Sequence, residues 1–251
     1  MIRQIDCERR IKVMHIGIIG AMDSEVAYLK ETLQDKREDS RYGYVFHTGT
    51  IGESTVTVVQ CGVGRVNAAR CTQMLIDLFQ PDAIVNTGIA GAIAPELRVG
   101  DVVVATGLVQ HDFDLTAIGL PKGCMAGAEN RTKPTAFACD TRLVSALKEA
   151  AEKIIPEANV TEGIIASGDV FVADASLKKQ IRDLFGAKAA EMEGGAMAQT
   201  AFCSGIPFAV MRVLSDQADG GAPESFETFE IRTARQSAKI AEEFVRILEK
   251  R

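Results

Sequence analysis

Stripes of lysine and arginine are missing from this sequence, and with them the electrostatic footprint of a nucleic-acid binder. Its 251 residues carry 28 Lys and Arg against 34 Asp and Glu, a net charge of -6, whereas phosphate contacts demand clustered cations. Metal spacing is missing too. The three histidines are dispersed, and the six cysteines (Cys7, Cys61, Cys71, Cys124, Cys139 and Cys203) contain no CxxC pair, so neither a zinc site nor a redox motif is supported. They read as reduced thiols of a cytoplasmic protein, and no cofactor is expected. No run approaches the ~18 apolar residues of a membrane span, and the first ten residues, MIRQIDCERR, lack the apolar core of a secretory signal. Nucleotide fingerprints are absent as well. Residues 62–67 read GVGRVN, without the third glycine of the dinucleotide motif, and there is no GKS or GKT for a phosphate-binding loop.

What is present is apolar material for one substantial core. A 47% hydrophobic, 25% charged chain suits a single domain, placed over residues 11–251 behind a polar extension at 1–10. Met14 is a candidate alternative start. The spacing predicts a first strand over 11–19 and then a helix with Asp23 or Ser24 as N-cap and Val26, Leu29 and Leu33 as its apolar face. Residues 43–61 read as a hairpin about Gly-Glu-Ser. A glycine turn at 62–64 leads into a helix ending near Phe79. Strands are expected over 82–88, 101–111, 162–168 and 207–214, with a small-residue turn at 89–92, an irregular stretch over 112–139, helices over 141–155 and 174–185, and a final amphipathic helix over about 226–249.

Residues 189–198 (AAEMEGGAMA) set two carboxylates about a methionine at the head of an apolar helix. Glu191 and Glu193 either cap that helix, where its dipole favours acids, or meet a polar ligand. Two glycines directly after them cost a helix roughly 1 kcal/mol each relative to Ala, and close approach of a ligand would justify them. A ribose suits this pattern: its paired hydroxyls match the Glu193 carboxylate and its ring face the Met192 thioether. Glu25 is a first-turn acid or a catalytic one. Arg212, inside the apolar run PFAVMRVL, needs a buried partner, and Ser215 and Asp216 follow at that strand's C-terminal end, where ligands of open α/β sheets gather. Phe171 can stack a purine or belong to the core. The pair His111–Asp112 is read as structural.

In order and spacing, GIIGAMDSEV, GVGRVNAA, NTGIAGA, SGDVF, AAEMEGGAMA and VLSDQAD resemble the nucleoside phosphorylase superfamily, most closely its 5'-methylthioadenosine/S-adenosylhomocysteine nucleosidases, over about residues 16–248. The resemblance implies a three-layer α/β/α fold with a central mixed β-sheet and hydrolysis of the N-glycosidic bond of an adenine nucleoside. Asp216 would be the acid that protonates departing adenine at N7, holding its proton near neutrality, and Glu25 the base that activates water, with Arg212 orienting or balancing the acids. Glu193 would bind the ribose hydroxyls, Met192 would lie against the sugar and Phe171 would stack on adenine. The Val172 backbone would read the base edge, Ser215 and Gly91 would line the site, and Met22, Val63 and Phe226 would lie near the 5' substituent. A homodimer is implied, in which Leu115, Ile118 and Pro121 enter the partner's pocket. The sequence departs from the family at Ile89, where a serine is usual, at Ala92, where a glycine is common, and in the loop 118–139, which lacks its usual aromatic segment. A purine nucleoside phosphorylase, a futalosine-type hydrolase and a nucleoside-binding sensor are the rival readings. Against the first, Asn86 and Ile89 stand where phosphorylases hold phosphate with an arginine and a serine.

Overall fold

A computed structural model describes residues 14–125, 130–218 and 222–251, without side chains for 222–228. The extension at 1–10 and positions 11–13 of the expected first strand lie outside the described residues.

Strand β1 (His15–Gly20) buries Ile16, Ile18 and Ile19 completely and turns into helix α1 (Asp23–Thr32). Neither Asp23 nor Ser24 caps this helix. Met22 is the N-cap residue, and its N–H is taken by the Glu25 carboxylate at 3.0 Å. Val26, Leu29 and Leu33 are buried as their spacing predicts. Strand β2 (Gln34–Arg41), QDKREDSR, gives no strand signal, because an exposed edge strand is kept from further pairing by charge rather than marked by apolar alternation. It pairs with β3 (Tyr44–Ile51), which forms the expected hairpin with β4 (Ser54–Gln60).

Helix α2 (Arg65–Phe79) and strand β5 (Ala83–Asn86) follow. Residues 89–92, expected as a turn, form strand β6 (Ile89–Ala92). Then come β7 (Val102–Gln110), a 3-10 turn at Thr116–Ile118, β8 (Phe137–Ala138) and α3 (Thr141–Ile154), capped by Asp140. Strand β9 (Val160–Ser167) ends four residues before Phe171, which therefore lies in the following loop and not at a strand end. Helix α4 (Ala175–Phe185) is capped by Asp174. The segment 187–191 also corrects the sequence reading: AKAAE is strand β10 (Ala187–Glu191), and helix α5 (Gly194–Cys203) begins after it. A strand without β-branched residues carries little local signal, and pairing to β9 and β6 decides its state. Strand β11 (Phe208–Asp216) and helix α6 (Ala222–Leu248), four residues longer at its start than expected, complete the chain.

The strands form one mixed sheet in the order β2-β3-β4-β1-β5-β11-β6-β10-β9-β7-β8. β11 is long enough to run parallel to β5 through Phe208–Val210 and then parallel to β6, while its middle also pairs antiparallel to β7. The second half of the sheet thus closes into a ring of β11, β6, β10, β9 and β7. Helices α1, α3 and α6 pack together, and α2 packs on α5, giving the three-layer α/β/α arrangement with a central mixed sheet. No described helix is long and apolar enough to cross a membrane. The ring matters most at β6. β10 and β11 run in opposite directions on either side of it, so Gly91 pairs with Ala190 on one side and with Asp216 on the other.

Candidate active site

A cavity of about 630 Å³, counted with its open mouth, lies over that point. Met22, Glu25, Val63, Gly91, Phe171, Val172, Met192, Glu193, Ser215 and Asp216, which the sequence nominates from six separate segments, all line it. Arg212 does not. The Phe226 side chain lies outside the described residues. Leu115, Ile118 and Pro121 sit away from this cavity, with Ile118 70% exposed.

Glu25 is buried and is held by three backbone donors. Its Oε2 accepts from Ala21 N at 2.6 Å and Met22 N at 3.0 Å, and its Oε1 from Ile89 N at 3.0 Å. Gly88 has to be glycine for this to happen, because a Cβ there would collide with the Glu25 carboxylate. Burial pushes the Glu25 pKa up, against the pull of Arg212 and of the three N–H donors.

Asp216 is buried on the other side of β6. The register of β11 shifts between Leu214 and Asp216, and such bulges re-aim side chains. Ser215 Oγ donates to Asp216 Oδ2 at 2.9 Å and Ala218 N to Oδ1 at 2.8 Å. Ala218 reaches this position with φ of 49°, in a left-handed conformation costly to a residue with a Cβ. A Cβ on Gly91 would come within 2.8 Å of Asp216 Oδ1, so the small-residue character of β6 makes room for the acid.

The two acids of the 189–198 motif divide their work. Glu191, at the end of β10, faces the interior. It pairs with Arg212, whose guanidinium also donates to both oxygens of Asn86, and it accepts from Ser167 Oγ, from Glu193 N at 3.1 Å and from Gly194 N at 2.7 Å. Arg212 is thus anchored to Glu191 and Asn86. Burial would lower its pKa, and Glu191, Glu25 and Glu193 together more than reverse that. Glu193 is the N-cap residue of α5 and accepts from Gly64 N at 2.8 Å. Its pKa is raised to about 8, first by burial and then by Glu191, against the pull of Arg212. Gly194 and Gly195 stand at the start of the helix, not in its interior. A Cβ on Gly195 would lie 2.9 Å from Ser167, and one on Gly194 3.1 Å from the Glu191 carboxylate, so protein groups rather than a ligand explain them. Glu191, read from the sequence as a cap or a ligand contact, and Asn86, read only for the phosphate it would not hold, anchor Arg212, while Ser167 and Gly88 were missed as members of the site.

The cavity thus offers buried acids on opposite sides of β6, a third acid tied to the glycine turn before α2, and an apolar rim of Val63, Val170 and Phe171, each 43–50% exposed. Among its described lining residues there is no lysine or arginine. A family model described as the Phosphorylase superfamily matches residues 15–246. The 5'-methylthioadenosine/S-adenosylhomocysteine nucleosidase of Exiguobacterium sp. is 40% identical over 90% of this chain and 95% of its own. The S-adenosylhomocysteine nucleosidase of Streptococcus pyogenes, solved with 5-methylthiotubericidin, superposes with a TM-score of 0.86 at 40% identity, covering 93% of this chain and 96% of that one. The nucleosidase of Colwellia psychrerythraea, solved with adenine, gives 0.88 at 39% identity, covering 94% and 96%. With this coverage, the chain belongs to the phosphorylase superfamily and, within it, to the 5'-methylthioadenosine/S-adenosylhomocysteine nucleosidases.

Proposed function

We propose that this chain hydrolyses the N-glycosidic bond of 5'-methylthioadenosine and S-adenosylhomocysteine, releasing adenine and the 5-substituted ribose. One observation carries the reading: Glu25 and Asp216 flank one cavity across two residues of β6, Glu25 holding Ile89 N and Asp216 pairing in register with Gly91. Both acids line the same cavity, the arrangement that inverting glycoside hydrolysis uses to place a water between base and acid. A carboxylate accepts about four hydrogen bonds. Three of those on Glu25 come from backbone, which leaves capacity for an attacking water. Asp216, carrying a proton, lets adenine leave neutral through N7 while positive charge develops on the sugar, and each such proton transfer is worth roughly 10²–10⁴ in rate.

Glu193, within the same cavity, takes the ribose hydroxyls, with Met192 beside the sugar ring. Phe171 stacks on the base and the Val172 backbone reads its edge. Met22, Val63 and Phe226 surround the 5' substituent, and Ser215 and Gly91 complete the wall beside Asp216. Arg212 acts on the acids rather than on substrate, since its guanidinium donates to Glu191, Asn86 and the Met211 carbonyl. The catalytic domain spans residues 11–251 and needs no cofactor. A homodimer that brings Leu115, Ile118 and Pro121 to the partner's pocket is supported by the exposure of Ile118 and of the rim residues Val63 and Phe171. Five free thiols among the described residues support a cytoplasmic location. The test is adenine release from methylthioadenosine, S-adenosylhomocysteine, 5'-deoxyadenosine and futalosine, with molecular size measured at micromolar concentration. Binding of the first two without release would make the protein a nucleoside sensor. Preferential cleavage of futalosine would move it to that hydrolase class, and a monomer would remove the partner-pocket role.

A further inference from the structure

The first two residues of the α2 region hold both halves of the cavity at once. Gly64 N donates to Glu193 Oε1 at 2.8 Å. The next amide, Arg65 N, donates to Asp169 Oδ1 at 2.8 Å, and Arg65 Nε donates to Asp169 Oδ2 at 3.2 Å, a two-pronged grip on one carboxylate. Asp169 is the second residue of the loop between β9 and α4 that carries Phe171 and Val172 into the cavity. The grip is closed from the other side. Arg65 Nη1 donates to Gln110 Oε1 at 2.9 Å and lies 2.9 Å from Asp112 Oδ1 as an ion pair without hydrogen-bond alignment, while Asp112 Oδ2 accepts from Asp169 N at 2.9 Å. Gln110 in turn donates from Nε2 to Gln199 Oε1 of α5 at 2.8 Å.

Two glycines permit this arrangement. Gly64 has φ of 98°, and a Cβ there would lie 3.2 Å from Asp169 Oδ1. A Cβ on Gly168 would overlap the His111 ring and sit 3.0 Å from Asp112 Cγ, so the loop lies flush on the His111–Asp112 pair. Arg65 does not line the cavity. Nor do its partners Asp169, Asp112 and Gln110; it reaches the lining through chain neighbours, Gly64 before it holding Glu193 and Asp169 leading into residues 170–172.

From this we infer that Arg65, with Asp112 and Asp169, is a positioning device that sets the distance between the sugar-binding and purine-binding sides of the cavity and so governs affinity for the purine. The inference rests on the proposed nucleosidase reading. The chemistry itself stays with Glu25 and Asp216, which Arg65 does not touch. Losing the guanidinium frees the loop and lowers the population in which Phe171 and Val172 are set for a base, and binding weakens by that fraction. Once a substrate is bound in register, turnover proceeds.

The experiment compares Arg65→Ala, Arg65→Lys and Asp112→Asn with wild type. It reads adenine affinity by calorimetry, KM and kcat on methylthioadenosine, and Tm. For Arg65→Ala, adenine Kd and KM both rise about tenfold while kcat stays within about threefold. Arg65→Lys recovers part of the loss, because a lysine restores the charge facing Asp112 but not the fork on Asp169. Asp112→Asn, which keeps the shape, follows Arg65→Ala in direction and serves if Arg65→Ala does not fold. Adenine affinity within twofold of wild type in these variants overturns the inference, as does a fall in kcat at unchanged KM. If wild type itself neither binds adenine nor releases it, the nucleosidase reading falls and this inference with it; if wild type binds and the variants bind equally well, only the inference falls.

Discussion

Arg212 and Glu191 pair in the interior with 2% of each side chain exposed, one on β11 and the other at the end of β10. The strands run in opposite directions, so this ion pair ties the ring of the sheet together directly beneath the cavity. Glu191 also accepts from Ser167 Oγ and from the Glu193 and Gly194 amides. The start of α5, and with it the Glu193 carboxylate, is therefore fixed by Glu191.

Removing one partner of such a pair leaves a buried charge without compensation, which costs roughly 3–5 kcal/mol. Glu191→Ala is expected to lower Tm by about 10 °C, since a chain of this size loses some 2–4 °C per kcal/mol. It is also expected to weaken ribose recognition by releasing Glu193. A thermal scan checks the first point, and a fall of less than about 3 °C would count against the role assigned to the pair.

Asp216→Asn is expected to abolish turnover while substrate binding persists. The amide keeps the shape and can still accept from Ala218 N, which now donates to Oδ1 at 2.8 Å, but it cannot supply a proton to a leaving base. Single-turnover measurements with a separate binding titration test this. Activity within tenfold of wild type would refute the assignment.

Much of this site was legible because its acids stand out against apolar surroundings. Glu193 and Arg212 break apolar segments, Asp216 ends one and Glu25 stands in a first helical turn after a strand, and the cavity brings Glu25, Glu193 and Asp216 together with Arg212 buried behind them. What escaped was decided by tertiary pairing. Residues 187–191 look helical by composition and become a strand because β9 and β6 hold them on both sides. β2 was invisible since its charge reflects an edge position. Asn86 and Ser167 are polar residues at strand ends, of a kind found in any sheet, and only the fold places Asn86 on Arg212 and Ser167 on Glu191. Gly88 could be seen as a glycine, but what its missing Cβ makes room for could not.

The raised pKa of Glu193 has a consequence for stability. A carboxylate whose folded pKa lies above its unfolded value of about 4.5 stabilises the fold at low pH, and that contribution is lost as pH rises towards about 8. His15, His47 and His111, all with lowered pKa, act in the opposite sense, but only up to about 6.5. Between pH 7 and 8 the Glu193 effect is therefore left exposed. Tm of the ligand-free protein is expected to fall by several degrees over that interval, and Glu193→Gln to flatten the slope. A wild-type Tm that stays level or rises there, or a variant with the same slope, would contradict it.

Catalysis is expected to be independent of phosphate. The argument rests on Asn86 and Ile89, which bound the segment where phosphorylases resembling this chain hold the anion with an arginine and a serine. Asn86 is fully buried and spent, its Oδ1 accepting from Arg212 and its Nδ2 donating to Ile19 O at 2.9 Å. Ile89 presents an apolar side chain to the cavity, and its N–H is taken by Glu25. Arg212, the cation within reach of the acids, is committed to Glu191 and Asn86. A phosphate dianion placed here would lose its hydration without gaining the bidentate arginine contacts that make such sites strong. It would also face the Glu25 carboxyl across the same cavity. Water is neutral and needs only a base and an open acceptor position, which Glu25 retains beyond its three backbone bonds. The reaction is to be run with and without about 50 mM phosphate, enough to saturate a millimolar site, and the sugar product identified. Free 5-substituted ribose at equal rates is the expected result. A ribose 1-phosphate product, or a rate that collapses when phosphate is withdrawn, would make the enzyme a phosphorylase.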